Sequence, residues 1–347
     1  MASYPPPPFE PDPHRKRRSP VLRALLLSFV LGMFCIPVAV GAALYLALAG
    51  AFDHVVVPGA PAGVPGMLSL PRLQPSTVDT PAWSGTERVN FLLLGTDQRA
   101  GATDVPRTDT IIVATLDPVT HSAGLLSLPR DLWVPIPEYG NNRVNAAFEL
   151  GEQLKPGGGP ELTRQTVEQL LGVPIHHYVL VGFDGFEQLV DLVGGVIVDV
   201  ERPIKDDEFP DQNYSMRRIF FQPGLQRLTG ETALWYVRTR HTDSDFGRAR
   251  RQQQFLLALR KQVLQLDLLP KAPAILAALS DTFQTDLRPH EMLGLARIAK
   301  DLDTSRIVNR VIDETMTTHW VTSAGAQVEV PDEAAIDQVV RHVFGTT

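Results

Sequence analysis

Aspartate and arginine fall close together in three short segments that each border an apolar run. Asp97 and Arg99 follow 89–94, Arg107 and Asp109 precede 111–116, and Arg130 and Asp131 follow 125–128. A second set, Arg238, Arg240, Arg248, Arg250 and Arg251, crowds between positions 238 and 251, with Asp243 and Asp245 among them. Arginine presents a planar fork that grips phosphate oxygens in two places, and paired carboxylates favour a hard cation. The combination points to a site for a metal and a multiply charged anion, and a magnesium-bridged pyrophosphate is the guest that fits it. Attack on a pyrophosphate needs its anionic oxygens neutralised, the nucleophile held in line and the leaving phosphate stabilised. Metal and arginines supply most of that.

Arg99, Arg107 and Arg130 are expected to clamp phosphate from the first set of loops, and Arg238, Arg240 and Arg248 from the second. Arg238 and Arg240 share a face if their stretch is extended, as it would be just past a helix end. Arg248, Arg250 and Arg251 sit near the start of a long helix, where positive charge opposes the macrodipole and calls for a bound anion. For Arg250 and Arg251 a solvated face paired with Asp243 and Asp245 competes with that reading. Asp97 and Asp109 each adjoin an apolar strand, which places them on the loop joining two strands at the sheet's end. The competing reading makes them turn or capping carboxylates. Asp131 is a candidate base or arginine-orienting carboxylate, Asp245 is another, and the sequence does not separate them.

Other chemistries find less support. His176 and His177 are adjacent and would point to opposite faces of a strand, so they cannot share a metal. His241 lies beside the arginine pair, where a surface histidine is the simpler reading. There is no Cys cluster, no His-x-His pair and no Gly-rich loop leading into Lys-Ser/Thr, which leaves zinc and nucleotide triphosphates without a motif. Gly157 to Gly159 form a flexible loop, not a phosphate cradle. A formal net charge of −7 with locally clustered arginines argues against nucleic-acid binding and suits a small anionic ligand.

The elements that must position these residues begin after an anchor. Residues 24–51 carry no charge and exceed the roughly 20 needed to cross a bilayer. A cleaved signal peptide would have a shorter apolar region, about 7 to 15 residues. Arg15, Lys16, Arg17, Arg18 and Arg23 precede the span, so the tail 1–23 is expected in the cytoplasm and everything after residue 52 outside. A Pro/Gly-rich stalk over 52–87 leads to a catalytic domain over 88–347. The only cysteine, Cys35, lies in the span, so the exported part must rely on its core. Runs at 89–94, 111–116 and 125–128 read as strands buried on both faces, with further strands at 177–183, 196–200, 308–312 and 326–330. Helices are expected at 143–150, 161–171, from an Asp184 cap to 193, 231–236, 246–266, 271–280, 290–301 and 332–344. The alternation implies an α/β fold, a mixed central sheet covered by helices on both faces in an αβα sandwich, with strand, helix and strand joined across 177–200.

Eight segments in order carry a family resemblance. They are Gly95-Thr96-Asp97-Gln98-Arg99, Arg107-Thr108-Asp109-Thr110, Ser127-Leu128-Pro129-Arg130-Asp131, Val144-Asn145-Ala146-Ala147, Gly194-Gly195-Val196-Ile197-Val198-Asp199-Val200, Leu228-Thr229-Gly230-Glu231-Thr232-Ala233-Leu234, Tyr236-Val237-Arg238-Thr239-Arg240 and Asp245-Phe246-Gly247-Arg248. From Arg88 onward the chain closely resembles the LytR-CpsA-Psr family. The resemblance implies a magnesium-dependent enzyme that moves a glycan-1-phosphate from a polyprenyl-pyrophosphate carrier to a cell-wall acceptor, usually peptidoglycan. It makes Asp97 and Asp109 the magnesium ligands, and implies that parts of the apolar faces at 186–193 and 253–264 line a tunnel for the isoprenoid tail. Arg143 stands where the family commonly has lysine, which keeps the charge and changes the fork. A hydrolase using water as acceptor, or a lipid-binding envelope regulator, are the alternative functions.

Overall fold

The structure is a computed structural model that describes residues 85–97, 106–210, 216–240, 244–266, 279 and 282–345. All of them belong to one unit, Arg72–Thr347. The tail 1–23, the span 24–51, most of the stalk 52–87, Arg99, His241, Asp243 and, apart from Leu279, the helix expected at 271–280 lie outside the described residues. Among the described residues no helix is long and apolar enough to cross a membrane.

Three apolar strands form the middle of a mixed six-stranded sheet: β1 (Val89–Thr96), β2 (Thr108–Asp117) and β3 (Ser122–Leu128). They pair antiparallel in sequence order. Outside them β6 (His177–Val181) runs parallel to β1, and β12 (Ile307–Val311) runs parallel to β3. The short β11 (Phe283–Thr285) closes the edge against β6. Both faces are covered, as runs without polar alternation require. Leu92, Leu94, Ile111, Val113, Leu126 and Leu128 face a core shared with α2 (Gly159–Leu171) and α7 (Glu333–Phe344). The alternate residues face α5 (Asp245–Gln265), whose Gln253 Nε2 donates to Ser127 Oγ at 2.8 Å. At Gly124 α7 comes so close that a Cβ would stand 2.7 Å from Val343 Cγ1.

The sheet differs from the expected order after β6. Helix α3 (Phe183–Leu192) starts from Gly182, and Asp184 sits in its first turn rather than at the cap. The strand that follows, β7 (Val196–Val200), leaves the central sheet and pairs with β10 (Gly224–Leu228). Gly194 and Gly195 make this exit possible with φ of 74° and 84°, and a Cβ on Gly195 would meet the Leu228 carbonyl oxygen at 2.8 Å. A second hairpin, β8 (Ile204–Pro210) with β9 (Met216–Phe221), packs beside it. Val190, Val198, Ile204, Phe221, Tyr236 and Phe255 belong to this second core.

Other departures are local. β4 (Trp133–Ile136) and β5 (Gly140–Arg143) form a hairpin. This draws Arg143 into a strand, so α1 spans Ala146–Leu154 instead of beginning at 143. Helix α4 (Gly230–Arg238) outruns the expected 231–236: Thr229 caps it by a box with Thr232, and it ends on Arg238. Helix α6 (Pro289–Lys300) and the hairpin β13 (Thr317–Val321) with β14 (Gln327–Pro331) complete the described elements.

Gly124 tests how closely α7 and β3 are fitted. Gly124→Ala should lower the unfolding free energy by about 1–3 kcal/mol through overpacking. The measurement is urea denaturation followed by far-ultraviolet circular dichroism, and an unchanged midpoint would mean that α7 simply gives way.

Candidate active site

Strand directions bring the acidic and basic segments together. β1 ends where β2 begins, and β3 ends beside the same point because Ile111 pairs with Leu128. Thr110 faces Gly95 and Thr108 faces Thr96, so Asp109 is the unpaired extra residue of a β-bulge inside β2, not a loop residue as expected. The bulge re-aims its side chain, 39% exposed, toward Arg130, whose NH1 donates to Asp109 Oδ1 at 2.7 Å. Arg130 Nε lies 3.4 Å from Asp131 Oδ2, and Arg143 Nε lies 3.1 Å from Asp131 Oδ1.

The second arginine set comes from the end of α4 and the start of α5. Arg238 ends α4 with its guanidinium 4.2 Å from the Phe183 ring centroid and 5.2 Å from that of Phe209. Thr239 is anchored on both sides: its hydroxyl donates to Asp206 at 2.7 Å, and its carbonyl accepts from Arg251. Arg251 also donates to the Tyr236 carbonyl at 3.3 Å, capping the orphan end of α4. Ser244 caps α5 by accepting from Gly247 N–H. Arg248, its side chain 6% exposed, lies 3.1 Å from Asp245 Oδ1 and reaches the Asp109 carbonyl at 3.5 Å, while Arg240 lies 3.9 Å from the same Asp245 oxygen. Gln252 ties α5 to both neighbours through Thr110 Oγ1 at 2.9 Å and the Val237 carbonyl at 3.1 Å.

These contacts set the charge states. Burial pushes the Asp109 carboxyl upward, but Arg130, with Arg248 and Arg240 behind it, outweighs that and holds it below the usual carboxylate range. Burial pulls the Arg130 guanidinium down, and Asp109, Asp131 and Asp245 together raise it above the ordinary arginine value. For Arg248 the order reverses: burial wins over Asp245 and Asp109, and its value falls. A buried cation with this imbalance gains from a further anion.

Between the sheet, α3 and α5 lies a cavity of about 250 Å³. Asp109, Arg238, Arg240 and Arg248 line it, together with the buried Asp206. Apart from Thr96, Thr110 and Gln252, its remaining wall is apolar and includes Phe183, Phe186, Leu189, Phe255, Leu256 and Leu259. Three arginines and two aspartates on a largely apolar lining suit an amphiphile with a charged head.

Of the expected site residues, Asp109, Arg238, Arg240 and Arg248 line this cavity. Arg130 and Asp245 stand one contact behind, and Asp131 a further contact behind Arg130. Asp97 lies exposed just past β1, where its Oδ1 accepts the Arg107 N–H at 2.9 Å, and the Arg107 side chain is held by Glu149 at 3.2 Å. Arg250 pairs with Asp313 at 3.0 Å and Arg251 is buried beneath α4, so neither of the two readings open for Arg251, a phosphate contact or a solvated face, describes its place. His176 Nδ1 accepts the Asn90 N–H while His177 lies 3.4 Å from Asp286, so the two histidines do diverge. Among the described residues no group of three or more His, Cys, Asp or Glu could hold a metal by itself. Asp206, Thr239, Gln252, Phe183 and Phe209 escaped the sequence reading as site residues.

Residues 69–343 match the LytR_cpsA_psr family. The polyisoprenyl-teichoic acid–peptidoglycan teichoic acid transferase TagU of Oceanobacillus iheyensis is 38% identical over 204 residues, 58% of this chain and 59% of that protein. The transferase TagV of Bacillus subtilis is 36% identical over 223 residues, 63% of this chain and 54% of that protein. The regulatory protein MsrR of Staphylococcus aureus is 33% identical over 203 residues, covering 58% and 57%. The chain thus spans less than two thirds of the length of each of these relatives. The crystal structure of B. subtilis TagV is similar at a TM-score of 0.61 and 28% identity, covering 76% of this chain and 99% of that one. TagT bound to LIIa-WTA shares the fold at 24% identity and a TM-score of 0.61, covering 81% and 100%.

The depressed Asp109 value gives a pH prediction. A carboxylate with a lowered folded-state pKa contributes stability that is present above its unfolded value of about 3.9 and lost as pH falls through the folded one. Asp109→Asn should therefore be less stable than the parent at neutral pH, with the gap closing as pH is lowered from about 4. Urea titrations at several pH values from neutral into acid measure it, and a gap independent of pH would remove the ion pair as its cause.

Proposed function

This chain belongs to the LytR-CpsA-Psr family, and we propose that it is a membrane-anchored, magnesium-dependent phosphotransferase. In this reading it moves a glycan-1-phosphate from a polyprenyl-pyrophosphate carrier to a cell-wall acceptor such as peptidoglycan. The observation that carries the proposal is the cavity that joins charged side chains to an apolar lining: Arg238, Arg240 and Arg248 with Asp109 and Asp206, among aromatic and aliphatic side chains. The names of TagU and TagV, transferases of teichoic acid between a polyisoprenyl carrier and peptidoglycan, agree with it. The uncharged segment 24–51 behind a basic cluster supports the anchor and an extracytoplasmic catalytic domain.

The side chains divide the work. Arg238, Arg240 and Arg248 bind the pyrophosphate oxygens, and Arg130, fixed between Asp109 and Asp131, adds charge behind them. The apolar wall takes the polyprenyl tail and excludes water from the phosphates. The acceptor hydroxyl oxygen forms a bond to the phosphorus that carries the glycan, and the bond from that phosphorus to the bridging oxygen breaks, releasing polyprenyl phosphate. The hydroxyl proton passes to a carboxylate. Asp245 is the better placed of the two candidates, because it touches two of the cavity-lining arginines, whereas Asp131 stands a further contact away, between Arg130 and Arg143. Asp97 and Asp109 suit a magnesium ion that keeps waters and takes substrate oxygens: each has an Oδ1 used within the protein, at 2.9 and 2.7 Å, and a second oxygen to offer. Such an ion supplies charge neutralisation at the phosphates when bound.

The full chain, supplied with labelled polyprenyl-pyrophosphate-linked glycan and peptidoglycan strands, should move label to the strands in the presence of magnesium and stop with chelator. Arg238→Lys and Arg248→Lys should each slow transfer roughly ten- to a hundredfold, the kinetic equivalent of losing a charge-assisted bond worth about 1.5–3 kcal/mol. Release of glycan phosphate to water alone would favour the hydrolase. Retention of the lipid without turnover would favour an envelope regulator.

A further inference from the structure

An exposed tryptophan and a half-buried one stand beyond the charged cluster and have no part in the chemistry above. Trp320 of β13 is 47% exposed, and its ring meets that of Trp133 edge-on, with centroids 6.1 Å apart and planes at 71°. Trp133 pairs with Arg143 across the β4–β5 hairpin, so the two side chains share a face. Arg143 in turn lies 3.1 Å from Asp131 and donates to the Gln327 carbonyl of β14 at 2.8 Å. Glu329 N–H donates to the Asp131 carbonyl at 3.0 Å, which fastens the β13–β14 hairpin to the same residue. A continuous run of ion pairs, Asp109 to Arg130 to Asp131 to Arg143, therefore leads from the cavity to the indoles.

We propose that Trp320, braced by Trp133, is the platform on which the acceptor glycan strand lies. The proposal rests on the transferase reading and deepens it. Sugar rings present flat C–H faces that stack on an indole and hydroxyl edges that need hydrogen-bonding partners. Large exposed aromatic side chains with a polar rim mark a binding surface. The rim on that side is polar and carries a single cation: Arg143 and Asn141 of β5 share the Trp133 face, and Thr318 shares that of Trp320. A bilayer-facing surface would instead combine apolar side chains with several cations. Position agrees as well. Neighbouring Leu132 and Val134 belong to the core on the α7 face of the central sheet, whereas the cavity lies on the α5 face. Donor and acceptor thus reach the charged sheet edge from different faces.

The test uses the full chain in detergent micelles, with chitotetraose and uncrosslinked peptidoglycan strands as probes in calorimetric titration and strands as acceptor in transfer assays. Trp320→Ala should weaken strand binding and raise the acceptor KM roughly tenfold, the loss typical of an exposed aromatic anchor, with kcat at saturating acceptor nearly unchanged. Trp320→Phe should recover most of the loss, and the melting temperature and the affinity for polyprenyl phosphate should not move. Unchanged strand affinity and KM in Trp320→Ala would overturn the platform. So would a loss of binding to phosphatidylglycerol vesicles in that variant with glycan binding intact. Failure of the parent chain to transfer to any strand would instead remove the transferase reading, while the calorimetry would still report on the platform by itself.

Discussion

Several guanidinium groups gathered at one sheet edge repel one another, and the fold holds them there by setting carboxylates between them. Asp109 stands against Arg130, Asp131 between Arg130 and Arg143, and Asp245 between Arg240 and Arg248. Half-exposed pairs of this kind add little stability one by one. Their effect is to fix positions, since each arginine is restrained by at least one neighbour before any ligand arrives. The charge balance remains incomplete at Arg248, where burial outweighs its two acidic neighbours and lowers its proton affinity.

The second core follows from the same need. Arg238 and Arg240 can reach the cavity only if α4 ends at its margin, and α4 is held there by packing on β7, β8, β9 and β10 through Ala233, Tyr236 and Val237. Asp206 and Arg251 then anchor Thr239 from opposite sides. Burying Asp206, 1% exposed, would be costly without the Thr239 hydroxyl and Glu208 N–H that it accepts. The apolar wall of the cavity is the part of α3 and α5 that these strands and the central sheet leave uncovered.

Much of this was legible in the sequence where local pattern and tertiary role coincide. The uninterrupted apolar runs of β1, β2 and β3 predicted strands buried on both faces, and the Asp-Arg segments beside them predicted a cluster at their ends. What stayed hidden depended on contacts between distant residues. The bulge that makes Asp109 a strand residue is a property of its pairing with Gly95 and Thr96, and nothing in Arg107-Thr108-Asp109-Thr110 announces it. β8 carries Lys205, Asp206, Asp207 and Glu208 in a row and so reads as a solvated loop, yet Asp206 turns inward. The burial of Arg251 could not be read because its partners are backbone carbonyls, which have no sequence signature. β7 read as the second strand of a strand-helix-strand unit in the central sheet, but the Gly194-Gly195 turn diverts it to a hairpin, with Ile197 and Asp199 exposed.

Asp131 and Asp245 could not be told apart by spacing, and their surroundings now give them different work. Asp131 lies where β3 hands over to β4; its carboxylate is shared by two arginines and its carbonyl holds β14. Moving its side chain toward a substrate would loosen Arg130, Arg143 and the hairpin together, so its position is best explained as structural to the site. Asp245 sits in the first turn of α5, where a negative charge is favoured by the helix dipole. From there its Oδ1 faces both Arg248 and Arg240. In the proposed transfer, a carboxylate beside two cavity-lining arginines stands nearer the phosphates than one shared by Arg130 and Arg143.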